Sequence, residues 1–187
     1  VPQGLGPEPV TWHRHEMLLG MGGAAMGGYL LTALPAWTPD GPVSRQTTRL
    51  LVALWLAGRL AFVADLHTVV GSAAMGSYFL VLGIFLLQRV IRAKARRRRL
   101  LAAAPIVPGI FELGGQLSPG FVDAAAMPQF LPLFYALLIS LVGGRVLTAF
   151  TIHWAERNPA GHGVSDPRWT ARGAVLTLFA AICSLAL

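Results

Sequence analysis

Charge is what this chain has least of. Of its 187 residues only 12% are charged and only eight are acidic, against 55% hydrophobic. That is about half the charged share of a typical soluble domain. A soluble fold so poor in charge lacks the polar surface to stay dispersed. Disorder is excluded as well, because disordered chains are rich in charge and poor in large apolar residues. There is one cysteine, Cys183, so no internal disulfide and no four-cysteine zinc site can form. No nucleophile elbow and no zincin helix is present, which speaks against a hydrolytic enzyme. The remaining reading is a chain for which lipid is part of the solvent.

What is there fits that reading. The sequence predicts an all-α, polytopic transmembrane helix bundle of about six helices, a single membrane domain over 1–187. Spans are expected near 13–34, 48–69, 71–91, 100–117, 128–152 and 171–187, at roughly 20 residues per span. Gly71-Ser72 is the expected turn of a tight hairpin. Pro105 and Pro108 should kink the fourth span or delay its start. Val1 is not an initiator Met, and the apolar tail that ends at Leu187 is shorter than a span. Both suggest a piece of a longer protein.

The net charge is +7. In a soluble protein that would raise nucleic-acid binding. Here the basic residues sit between apolar stretches. Arg45, Arg49, Arg89, Arg92, Lys94, Arg96 to Arg99, Arg157, Arg168 and Arg172 all fall on one side of the expected spans, which should be cytoplasmic. Arg14 alone lies on the other side. Trp12, Trp37, Trp154 and Trp169 fall at the expected interfaces. The run Arg96-Arg97-Arg98-Arg99 has two readings, a nucleic-acid patch or a stop-transfer segment touching anionic lipid. Its flanking spans favour the second, so no nucleic-acid partner is expected.

Ionisable residues inside spans are the functional candidates. His13, His15, Glu16, Asp65, His67 and Glu112 should share the outer level of three helices. His13 and His15 are two residues apart and so point to nearly opposite helix faces. His13, Met17 and Met21 share a face, where imidazole and thioether would suit Cu(I), or where the methionines would simply fill core. Arg59 falls near mid-span and needs a carboxylate, a cofactor propionate or trapped water. Arg145 follows Gly143-Gly144, where a backbone or flat ligand could approach. Gly20, Gly23, Gly27 and Gly28 leave room for close helix packing or for a planar macrocycle. Glu16 is expected to orient a neighbour or to meet the dipole at a helix start. Asp65 and Glu112 are read, like Glu16, as groups that support the ligands.

Several blocks carry a resemblance. Trp12-His13-Arg14-His15-Glu16-Met17-Leu18-Leu19-Gly20 resembles the W-H-x-H-E-M-L-x-G signature of the NnrS family. Gly28 to Thr38, Leu54-Trp55-Leu56-Ala57-Gly58-Arg59, and Gly143-Gly144-Arg145-Val146 with Phe150-Thr151 are similar to further blocks of that family, in its order and spacing. Ala36 stands where the family usually has Asn, Leu147-Thr148 where it has Ile-Pro, and Glu112 is nearest to where its members often have a His. The resemblance implies a bacterial inner-membrane, multi-pass protein that binds haem and copper. It also implies a role in the response to nitric oxide and nitrosative stress, often beside denitrification. On that basis His13, His15, Arg59 and Arg145 would bind cofactor, and His13, His15, His67 and Met17 would be metal ligands. The partners implied are the lipid bilayer, nitric oxide or a related small molecule, and a missing C-terminal half of the same chain. The alternative is a membrane transporter or accessory protein with a polar pathway and no metal.

Overall fold

The computed structural model describes residues 9–64, 70–117 and 127–157, together with Gly173, Leu176 and Ala180. All regular structure among these is helical. The helices are α1 (Pro9–His15), α2 (Gly22–Ala33), α3 (Arg45–Val63), α4 (Ser72–Arg92), α5 (Arg99–Ala103), α6 (Ile106–Leu117) and α7 (Met127–Arg157). A π-helical turn, Glu16–Met21, joins α1 to α2 into one rod. Two stretches, Trp12–Ala36 and Ser72–Arg92, are long and apolar enough to cross a membrane. The chain divides into two compact units, Val1–Ala124 and Ala125–Leu187.

The first unit is built around α4. Met75, Tyr78, Phe79, Leu82, Leu86 and Val90 recur every three or four residues and are all buried, as one helical stripe should be. α4 packs against α2, α3, α5 and α6. The contacts are close because glycines meet bulky side chains. Gly76 and Gly83 of α4 lie against Leu113 and Ile106 of α6, and Gly58 of α3 lies against the Met75 backbone. On the other side Gly23 and Gly27 lie under Phe79 and Tyr78. Small residues let helix backbones approach closely, so these contacts carry the packing. Of the two uses foreseen for these glycines, Gly23 and Gly27 serve helix packing, whereas Gly28 faces open space.

Prolines punctuate this unit as expected. α5 ends at Ala103, and α6 begins only after Ala104-Pro105. Pro105 and Pro108 are both fully buried. The expected turn at Gly71-Ser72 does not occur there. Gly71 has helical torsions (φ −64°, ψ −48°) and caps α4. Both residues are buried, so the need to pack outweighs their turn propensity.

The second unit is described through α7. Pro132 lies inside this helix. Phe130 stacks on Phe134 with ring centroids 6.3 Å apart, and Phe134 meets Tyr135 edge-on at 5.6 Å.

Candidate functional site

Two adjacent residues at the α1–α2 junction reach two different helices. A step of one residue turns a helix by about 100°, so neighbours diverge. His15 faces α6, where its Nε2 lies 3.3 Å from Glu112 Oε1. Glu16 faces α3 and forms an ion pair with Arg59. The Glu16 side chain is only 4% exposed, whereas Arg59 retains 32%. The carboxylate is thus taken out of solvent and the guanidinium keeps one edge toward the surroundings. Among the described residues, Glu16 Oε1 accepts no hydrogen bond.

Arg59 is positioned by its own helix. Its guanidinium lies 4.8 Å from the centroid of the Trp55 ring, one turn away at the spacing that aligns side chains. A guanidinium over an indole face gains cation–π attraction, more so when desolvated. Trp55 in turn donates from Nε1 to the Gly20 carbonyl oxygen at 2.9 Å. The guanidinium lies over Gly20 so closely that a Cβ there would collide with it. Gly20 is therefore required by Arg59, not by backbone torsion.

The π turn explains why these partners meet. A π turn widens the helix by one residue and shifts the register of the helix beyond it. Backbone groups beside it accept bonds from neighbouring helices: Gly20 from Trp55, and Gly23 from the Tyr78 hydroxyl at 2.9 Å. α3 and α4 are thus tied to the rod on either side of Met21.

The other candidates lie elsewhere. His13 is exposed, as are Met17 (40%) and Met21 (58%). The methionines therefore do not fill the core of this unit. His15 is mostly buried, so the two histidines do face differently, as their spacing requires. Asp65 and His67 lie outside the described residues. Arg145 is on α7, with its side chain outside the described residues. His153 is exposed and lies 3.9 Å from Glu156 on the same helix.

The structure corrects one of the two roles expected of Glu16. It does not mark a helix start, because α1, Pro9–His15, runs before it. It is instead the carboxylate that pairs with Arg59. Trp55 and Tyr78 were missed as donors. The available signal for Trp55 was its place one turn before an arginine set in an apolar run.

The donor set bears on cofactors. Among the described residues no three His, Cys, Asp or Glu side chains group so as to hold a metal ion. A complete metal centre therefore does not fit these residues alone. A single imidazole ligand to a shared centre does fit, from His13 on the exposed face or from His15 beside Glu112. Arg59 is already neutralised by Glu16, which disfavours it as the partner of a cofactor carboxylate.

No curated protein and no solved structure matches the chain significantly. A family model described as NnrS protein matches residues 1–187. It runs through the His13–Glu16 block, the Arg59 block and the Arg145 block, and the chain belongs to the NnrS family.

Proposed function

We propose that the chain is part of a multi-pass protein of the bacterial inner membrane that acts in the response to nitric oxide and binds haem and copper. The observation that carries this reading is the family match across both imidazoles of Trp12-His13-Arg14-His15-Glu16. In this reading His13 or His15 would hold haem iron or copper through its imidazole. Neutral imidazole suits both metals. When bound, these groups supply the redox and nitric-oxide-binding chemistry. The chain's own contribution is to hold the imidazoles at one level. Glu112 orients His15, since a carboxylate on one ring nitrogen fixes ring and tautomer. Glu16 and Arg59 hold the rod that carries both.

The test is a metal and pyridine-haemochrome analysis of the full-length protein with His13→Ala and His15→Ala, singly and together. Loss in one variant assigns the ligand. Full haem and copper content in all three would overturn the assignment. Topology is tested separately. A reporter fused after Arg99 should read as cytoplasmic and one fused in 117–126 as external. Opposite readings at both sites would move the histidine level to the inner face.

The second reading, a polar pathway without metal, is favoured by the buried Glu16–Arg59 pair, since paired charges inside a bundle also mark pathways. A full-length protein free of haem and copper would favour it.

A further inference from the structure

We propose that the turn between α4 and α5 is a headgroup site for anionic phospholipid, and that its five outward cations, more than one phosphate can answer, favour a lipid carrying two. The proposal rests on the membrane reading above, but on none of the residues assigned to haem or copper.

Charge is the first observation. Arg89, Arg92, Lys94 and Arg96 to Arg99 fall within eleven positions, and no acidic residue occurs between Asp65 and Glu112. Arg92, Lys94, Arg96, Arg97 and Arg99 are exposed. The one acidic group in contact, Asp40, is taken by Arg89 at 2.6 Å. The excess positive charge is therefore unanswered by the described residues.

Rigidity is the second. The turn is braced against the 34–44 segment at two points. Arg89 pairs with Asp40 and also donates to the Gly41 carbonyl oxygen at 3.3 Å. Arg98 lies 5.6 Å from the centroid of the Trp37 ring. A positive-inside signal alone needs charge, not a fixed arrangement. Two of the seven cations are spent on holding the turn while the others are left outward.

Strain is the third. α4 ends in a Schellman arrangement, with Ala95 N–H donating to the Val90 carbonyl at 3.1 Å and Lys94 N–H to that of Ile91 at 3.0 Å. The residue in the left-handed position is Lys94, at φ 55°. Glycine is the usual occupant there, because a Cβ makes that region unfavourable. The sequence places a long side chain where the backbone favours glycine, which directs attention to what that side chain does. Finally, Leu100 is 90% exposed beside Arg99. An apolar side chain next to a row of cations suits the boundary between headgroups and acyl chains. Basic groups next to a spanning helix attract anionic headgroups at a short range set by screening.

The test uses the full-length protein purified in nonionic detergent. It is mixed with equal amounts of phosphatidylcholine, phosphatidylglycerol and diphosphatidylglycerol, and retained lipid is read by native mass spectrometry. Diphosphatidylglycerol should be retained most and phosphatidylcholine least. Arg96→Gln, Arg97→Gln and Arg99→Gln combined should lower its retention by about tenfold or more. The Arg→Lys triple variant, which keeps the charge, should retain it. Should the glutamine triple fail to accumulate, Lys94→Gln alone should lower retention about fivefold. Equal retention of all three lipids, or an unchanged glutamine variant, overturns the proposal. So does a short DNA duplex that displaces the lipid at 0.15 M salt. A full-length protein that stays soluble without detergent would instead overturn the membrane reading on which the proposal rests.

Discussion

The α1–α2 junction and the α4–α5 turn both concentrate ionisable residues, and they treat them in opposite ways. At the junction Glu16 and Glu112 are buried and each meets a cationic or imidazole partner on another helix. At the turn five of seven cations face outward, and among the described residues only Arg89 has an acidic partner. Burial makes a lone charge costly, so the junction pairs its charges and fixes the helices around them. Exposure makes lone charge tolerable, so the turn can hold an excess for something outside the fold. Stability should therefore be sensitive to loss of a charged group at the junction and nearly indifferent to loss of an exposed charge at the turn.

The largest effect is expected at Arg59. Arg59→Met keeps the side-chain stem and leaves the buried Glu16 without its cation. Removing one partner of a buried pair costs about 3–5 kcal/mol. The partial exposure of Arg59 puts the expectation at the lower end, about 3 kcal/mol. Glu16→Gln should cost less, because the glutamine keeps a side-chain oxygen that can accept from the Arg59 guanidinium. Unfolding in detergent measures both, and a double-mutant cycle with Glu16→Gln/Arg59→Met should show a clear coupling. Equal single losses with no coupling would break the contrast between the two regions.

Next come the glycines. Gly27→Ala would drive a Cβ into the Tyr78 hydroxyl, which is itself bonded to the Gly23 carbonyl. Overpacking of this kind costs about 1–3 kcal/mol. Gly28→Ala meets nothing within 4 Å and should stabilise the helix, by up to about 1 kcal/mol. Opposite shifts in melting temperature from adjacent glycines would be a sharp check on the packing. A shared direction would refute it.

How much of this was legible beforehand depends on the range of each signal. Apolar runs and basic punctuation are local, so the all-α fold could be read directly, and two of the expected spans, Trp12–Ala36 and Ser72–Arg92, meet the length and hydropathy needed to cross a membrane. The need of Arg59 for an anion was also legible, because a guanidinium set in an apolar run such as 54–63 is costly without a partner. Its partner was not. Glu16 is 43 residues away in sequence, and its neighbour His15 turns to a different helix. Nothing local distinguishes a π turn from an α turn at Glu16–Met21, and the bonds that Gly20 and Gly23 accept beside it come from distant helices, α3 and α4. Gly71-Ser72 misled for the related reason that burial in the packed bundle overrode turn propensity. The left-handed lysine was hidden because position 94 is one where glycine would have announced the cap.

Trp55→Phe should fall between these effects and the turn. It keeps an aromatic face for Arg59 and removes the bond to the Gly20 carbonyl, a loss of about 1 kcal/mol. Amide exchange at the π turn should rise with it. Protection that stays unchanged would mean that the turn does not depend on this bond.

The smallest effects belong to the basic turn, and they carry a sign. Arg97→Gln should shift stability by no more than about 0.5 kcal/mol, as exposed substitutions usually do. Lys94→Gly should do the opposite of what deleting a conventional contact does. At φ 55° the lysine Cβ is held in the left-handed region at a cost of about 1–2 kcal/mol, which glycine does not incur. Glycine gives back part of that gain through the greater freedom of its unfolded chain. The net expectation is a stabilisation of about 1 kcal/mol, read as a higher melting temperature in nonionic detergent. If a phosphate headgroup engages Lys94, that advantage should shrink when diphosphatidylglycerol is added, because the lipid stabilises the lysine form more than the glycine form. A destabilised glycine variant would mean that the Lys94 side chain has a stabilising contact within the protein, and the turn would then resemble the junction after all.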